Sequence, residues 1–296
     1  MFHSSLARPN RGLTSVFVSL IGLLLVSVLC AQEKIAWNDQ EKPIVAQING
    51  LRKLDDATRA RATKDLALEI RNLPAGPHKL GLAGGLANLA TEGDFGRDTL
   101  QEVTTTLATA LREYPPVAKP DGPNHHYMEL ANLVRYEHMK TDCSDPQFMD
   151  ALARLAAADS ARQSADFTLK DLEGESWHLQ ELHGKVVLLN FWATWCPPCR
   201  KEMPDLQALY EKYKGQGFIV LSISDEEAAK VTPFIQQNHI TYPVMLDPGR
   251  KVNDLFHVDG IPKSFVYDRD GSLVAQSIDM RTRRQFEEML AQAGLK

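Results

Sequence analysis

The 296 residues exceed one small domain and suit two, at ~100–200 residues each. An apolar share of 44% and a charged share of 24% exclude collagen-like repeats and wholesale disorder. Against 38 acidic residues, 33 basic ones leave a net charge of −5, which gives no support for binding a nucleic-acid backbone, and 4 cysteines are too few for a disulfide scaffold.

The chain opens with Arg8 and Arg11, then an apolar run from Leu13 to Cys30 broken only by Thr14, Ser15, Ser19, Gly22 and Ser27. A basic start, an apolar stretch and a small-residue exit near Ala31 read as a secretory signal peptide over 1–31. Two alternatives stand beside it: an uncleaved anchor, which would tether the protein to a membrane, and a lipid-modified Cys30, which Leu29 suits poorly. Each delivers the rest of the chain across a membrane, to an extracytoplasmic (periplasmic or secreted) location.

Residues 35–160 read as an α-helical domain. Asp55–Leu73 carries apolar positions Ala57, Ala60, Leu66, Leu68 and Ile70 among charges and stops before Pro74. Leu80–Ala90 follows; then Asp98 is placed as the N-cap of Thr99–Glu113, which Pro115-Pro116 closes. His126–Met139 and a helix opening at Asp145-Pro146 and running through Ala157 complete a small bundle or solenoid without a nameable repeat. The pair His125-His126 reads as a helix start.

From 163 to 296 the period changes. Asp166–Leu169 and Ser176–Leu179 alternate as a hairpin, and Lys185–Trp192 is a nearly unbroken apolar run, as a strand buried on both faces requires. Pro198–Lys214 is helical, Phe218–Ser224 a strand, Glu226–Asn238 a helix, and Tyr242–Leu246 a short strand. Ile261–Asp268 and Ser272–Gln276 form a second hairpin before a closing helix, Arg281–Ala293. A βαβα half followed by ββα gives a sheet with a parallel and an antiparallel part, an α/β fold C-terminal to an all-α domain.

Cys196 and Cys199 stand between the buried strand and the next helix. Unpaired N–H groups and the positive helix end stabilise a thiolate, which is the species that attacks a disulfide. Two intervening residues let the second thiol close on the first, and Pro197 and Pro198 fit a first helical turn. A zinc half-site would need a second ligand pair, and beyond residue 200 only the isolated His239 and His257 are on offer. A purely structural disulfide rarely closes so small a loop at a helix start.

These residues identify the C-terminal half as similar to the thioredoxin superfamily, specifically its TlpA/ResA-like branch of extracytoplasmic thiol-disulfide oxidoreductases. Asn190 to Cys199 (NFWATWCPPC) resembles the active-site segment, Pro204 the helix-kinking proline, Gly260 to Phe265 (GIPKSF) the cis-proline loop, and Asp268 to Gly271 the turn after it. The resemblance implies a thioredoxin-like fold, Cys196 as an exposed attacking nucleophile, Cys199 as a more buried resolving thiol, and a redox-active Cys196–Cys199 disulfide. It implies a cis Pro262 that lets the Ile261 backbone pair with a client strand, with Trp195, Pro197 and Ile261 as the client-contact residues. Asn190 replaces the titratable Asp that cytosolic thioredoxins carry on that strand. Glu202, one turn after Cys199, matches a glutamate of this branch and is expected to move a proton to or from Cys199, against the bland reading of a solvated helix residue.

The branch implies reduction of client disulfides or cysteine pairs, such as those of apocytochrome c or copper sites, with a membrane thiol carrier as electron donor. No cofactor and no metal is called for. Three rivals remain. A peroxiredoxin needs a proline and a Thr or Ser where Leu189 and Ala193 stand. A binding or scaffold protein would act through the helical domain with the redox fold as passenger, and a metallochaperone would hold copper at Cys196 and Cys199. Cys143, beside His125, His126, Glu129 and His138, matches no ligand spacing and reads as an unpaired thiol, with an intermolecular disulfide as the alternative.

Overall fold

The computed structural model describes residues 36–296; the expected leader, with Cys30, lies outside the described residues. Six helices come first: α1 (Glu41–Gly50), α2 (Asp56–Arg71), α3 (Pro77–Ala90), α4 (Arg97–Glu113), α5 (His125–Tyr136) and α6 (Pro146–Ser164). Their starts follow from local chemistry. The Asp55 and Asp145 side chains accept from the N–H groups of Thr58 and Gln147, and Pro77 and Pro146 sit where a helix needs no donor. Asp98 is not the cap of α4. Gly96 takes that position at φ +81°, a conformation glycine adopts without cost, and Asp98 falls in the first turn where its charge suits the helix dipole. The helix α6 continues seven residues past Ala157, to Ser164. Leu66, Ala67, Ile70, Leu86, Leu107 and Leu130 are among the fully buried side chains that close this helical core.

The second half begins with a two-stranded hairpin, β1 (Thr168–Lys170) and β2 (Ser176–His178). Then come β3 (Val186–Trp192), α7 (Pro197–Tyr213), β4 (Phe218–Ser224), α8 (Ala228–Gln237), β5 (Val244–Leu246), a five-residue helix α9 (Lys251–Leu255) that the periodicity did not announce, β6 (Lys263–Tyr267), β7 (Leu273–Gln276) and α10 (Arg283–Gln292). The main sheet has the order β5-β4-β3-β6-β7, parallel from β5 to β3 and antiparallel from β3 to β7. It is the thioredoxin-like mixed sheet, flanked by helices. Every residue of β3 is buried. Val186, Leu188 and Trp192 point to the layer of α7 and α10, while Val187, Leu189 and Phe191 point to the opposite core with Phe256 and Phe265.

Residues 37–296 form one compact unit. The edge strand β7 is covered rather than left open: the Gln163 side-chain oxygen accepts from Leu273 N–H at 2.6 Å and its amide donates to Gly271 C=O at 2.8 Å. Arg162, buried at 7% exposure, donates to the Phe256 carbonyl at 2.9 Å and to Asp159, and stacks over the Phe265 ring. The buried Arg281 pairs with Glu137 at the end of α5, and Arg284 pairs with Asp94. The helical half is thus bonded to the redox half through polar groups, several of them buried.

Candidate active site

The apolar run of β3 ends in Ala193-Thr194-Trp195, and the chain turns straight into α7 at Pro197. Cys196 is the N-cap of α7 and is disulfide-bonded to Cys199. Cys199 N–H points at Cys196 Sγ from 3.3 Å, so a first-turn donor of the helix already faces the sulfur that would carry charge after reduction. The Ile261–Pro262 peptide is cis, and the Ile261 carbonyl oxygen lies 3.8 Å from Cys196 Sγ. The expectation of an exposed Cys196 is not met in this oxidised state: it is 2% exposed against 0% for Cys199, because its sulfur is tucked against that carbonyl. The accessible residues of the motif are its neighbours, Trp195 at 66% exposure and Pro197.

Glu202 is not a solvated helix residue. It is 2% exposed on the buried side of α7, where Asn190 Nδ2 donates to it at 2.8 Å and the Arg281 N–H at 3.1 Å. It hydrogen-bonds to neither cysteine. Burial pushes its carboxyl up to about 8, against the smaller lowering by those two donors. Asn190 also donates to Ser264 Oγ at 3.1 Å. By register Asn190 stands beside Ser222 on β4 and Ser264 on β6, so a polar stripe crosses three buried strands beneath α7. Asn190 Oδ1, Ser222 Oγ and the Tyr242 hydroxyl are buried there without a hydrogen-bond partner, and burial, with a smaller push from the nearby Glu202, raises the Tyr242 phenol.

Glu226 was missed by sequence reasoning. Its carboxylate, 7% exposed, accepts from both the N–H and the hydroxyl of Thr194, at 2.5 and 2.9 Å, and so pins the loop two residues before Cys196. The available signal was an acid two residues after a buried strand, at the end of the sheet where the cysteines sit. Ser222 and Ser264 carried a comparable signal, as single polar residues in strands buried on both faces. Lys263, next to Pro262, donates to the Ser277 carbonyl and lies 5.6 Å from the Tyr136 ring centroid of the helical half; burial pulls its ammonium down to about 7. Cys143 is a free, partly buried thiol that burial shifts upward, well away from the disulfide in the chain. Among the described residues no three His, Cys, Asp or Glu side chains assemble as a metal-ligand set.

The AhpC/TSA family model matches residues 161–276. The thiol-disulfide oxidoreductase ResA of Bacillus thuringiensis is 41% identical over 130 residues, which span 44% of this chain and 75% of that protein. ResA of Halalkalibacterium halodurans is 34% identical over 144 residues, or 48% of this chain and 82% of its own. Among solved structures, StoA from Bacillus subtilis is 30% identical and covers 43% of this chain and 96% of that one, with a TM-score of 0.39.

Proposed function

The chain belongs to the ResA family of thiol-disulfide oxidoreductases, and from that premise we propose that its reduced Cys196–Cys199 pair reduces disulfides of client proteins outside the cytosol. The observation that carries the reading is Cys196 Sγ at the N-terminus of α7, faced by the Cys199 N–H on one side and the Ile261 carbonyl on the other. In the reduced protein the Cys196 thiolate attacks one sulfur of a client disulfide. A Cys196–client disulfide forms and the other client sulfur leaves as a thiolate. Cys199, deprotonated, then attacks Cys196 Sγ; the internal disulfide forms and the second client thiolate leaves. Two electrons pass to the client, whose two thiolates take up the two protons the dithiol gave up. Glu202 supports the second step as the acid or base for Cys199, holding its proton at neutral pH and able to exchange it near pH 8. A thiol carrier in the membrane returns the electron pair.

A binding protein with a passenger redox fold, or a copper carrier, has less support, since neither requires the closed pair or the buried Glu202 beneath it. Extracytoplasmic location rests on the leader pattern of residues 1–31. Insulin reduction by the reduced protein tests the proposal. Activity should vanish in Cys196→Ser, and Cys199→Ser should accumulate a mixed disulfide with clients; full insulin reduction by Cys196→Ser would defeat it.

A further inference from the structure

Helix α5 and the loop bearing Ile261 and Pro262 face each other across a cleft of ≈310 Å³. Met128, Asn132 and Tyr136, each one turn after the last, line one side, and Val258, Ile261 and Pro262 the other. All three α5 residues are partly accessible. The family match begins at residue 161, so α5 is this chain's own addition to the redox fold. Ile261 joins the cleft to the chemistry, because the residue that lines it also sets its carbonyl against Cys196 Sγ. A client cysteine bonded to Cys196 brings its Cα within ~6 Å of the Cys196 Cα. At ~3.3 Å per residue, extended chain on either side of that cysteine then runs across Ile261 and into the cleft.

The charges in the cleft define what fits. Arg162 is committed to Asp159 and the Phe256 carbonyl, and Lys263 to the Ser277 carbonyl. Asp259 and Asp279 line the same cleft and form no ion pair among the described residues. Of the cations whose fields reach Asp279, Arg52 and Arg281 are paired with Glu92 and Glu137, and Lys263 donates to the Ser277 carbonyl rather than to the carboxylate. His257 adds the remaining titratable ring. Apolar walls with two carboxylates outside any ion pair, one of them accepting only the Met280 N–H, suit a segment that is partly apolar and carries a positive side chain.

We propose that this cleft seats the client segment flanking the cysteine under attack, that it selects extended chain with a lysine or arginine close to that cysteine, and that α5 supplies the selectivity through Met128, Asn132 and Tyr136. The inference rests on the client-reducing role proposed above and assigns the helical half a part in it.

Stopped-flow oxidation of the reduced full chain by three disulfides separates the two ideas. Two are peptide disulfides of equal length with Lys or Glu two residues from the cysteine; the third is hydroxyethyl disulfide, too small to reach the cleft. The Lys peptide should react about fivefold faster than the Glu peptide at low salt, the scale of a partly exposed charge pair. That preference should collapse in the Asp259→Asn/Asp279→Asn double variant. Asn132→Trp, which fills the cleft, should slow both peptides several-fold, and Asn132→Lys should slow the Lys peptide alone. Neither should change the hydroxyethyl disulfide rate, which also certifies folding. Equal rates for the two peptides, or an Asn132→Trp protein as fast as the parent on both, overturn the inference while leaving the reducing role intact. Failure to reduce hydroxyethyl disulfide overturns the role itself and the inference with it.

Discussion

Asn190 is a polar residue in a strand of otherwise apolar, fully buried side chains, and its amide links the central strand to Glu202. Glu202 builds a pH sensitivity into this region. Its folded-state value of about 8 lies above the ~4.3 of an unfolded glutamate. Between those two pH values the folded protein keeps a proton that the unfolded chain has released, so this group lowers stability as pH rises from about 4.3 to 8. Glu202→Gln removes the titration. Urea midpoints of the oxidised protein at pH 5, 6.5 and 8 should fall more steeply for the parent than for the variant, with a ceiling on the difference on the order of 4 kcal/mol at pH 8. Exchange rates should tell the same story, with an inflection near pH 8 in the parent that the Gln variant lacks. Parallel stability curves together with identical rate profiles would remove Glu202 from the mechanism.

Among the elements, α5 and α10 are held by Arg281 and Glu137, a pair at 5% and 11% side-chain exposure. Glu137→Leu leaves a guanidinium buried without its counter-charge and should cost ~3–5 kcal/mol, whereas Glu137→Leu combined with Arg281→Met should recover most of that loss. The Arg281 backbone N–H that serves Glu202 survives in both, so insulin reduction should change little. A double variant no more stable than Glu137→Leu alone would contradict the pairing. Contacts of this kind also mark what could be read from the chain. The main strands and helices of the redox half and the dithiol at a helix start were legible, because apolar periodicity and Cys spacing act within a few residues; the cis-proline loop followed from the family resemblance, and the five residues of α9 are too few to show a period. The polar stripe of Asn190, Ser222 and Ser264, the Glu226 clasp on Thr194 and the docking of α5 were not, because each depends on register between strands or on partners distant in sequence. The α4 cap failed for a different reason: an aspartate near a helix start satisfies either the cap or the first turn, and Gly96 settled the choice.

At the scale of the whole molecule, the helical half and the sheet share one compact unit, with Arg162, Gln163, Glu137 and Asp94 reaching across to the redox half. If those contacts make the two cooperative, the wall of the client cleft is a fixed surface, and the halves must unfold together. The chain carries its own reporters for this. Three of the four tryptophans, Trp177, Trp192 and Trp195, belong to the redox half, while Trp37 and Cys143 pack against the helical core, and Cys143 is in the oxidised protein the one free thiol among the described residues. With residues before Gln32 removed and Trp37→Phe in place, so that emission reports the redox half alone, tryptophan emission and Cys143 reactivity toward a thiol reagent should show one urea midpoint, as should far-UV circular dichroism. Reduction of the Cys196–Cys199 disulfide should shift the tryptophan and circular dichroism midpoints together, since a bond in one half would then stabilise both. An earlier, separate exposure of Cys143 would mean that the helical half opens on its own, and a cleft with a hinged wall would discriminate poorly between clients even if its residues touch them.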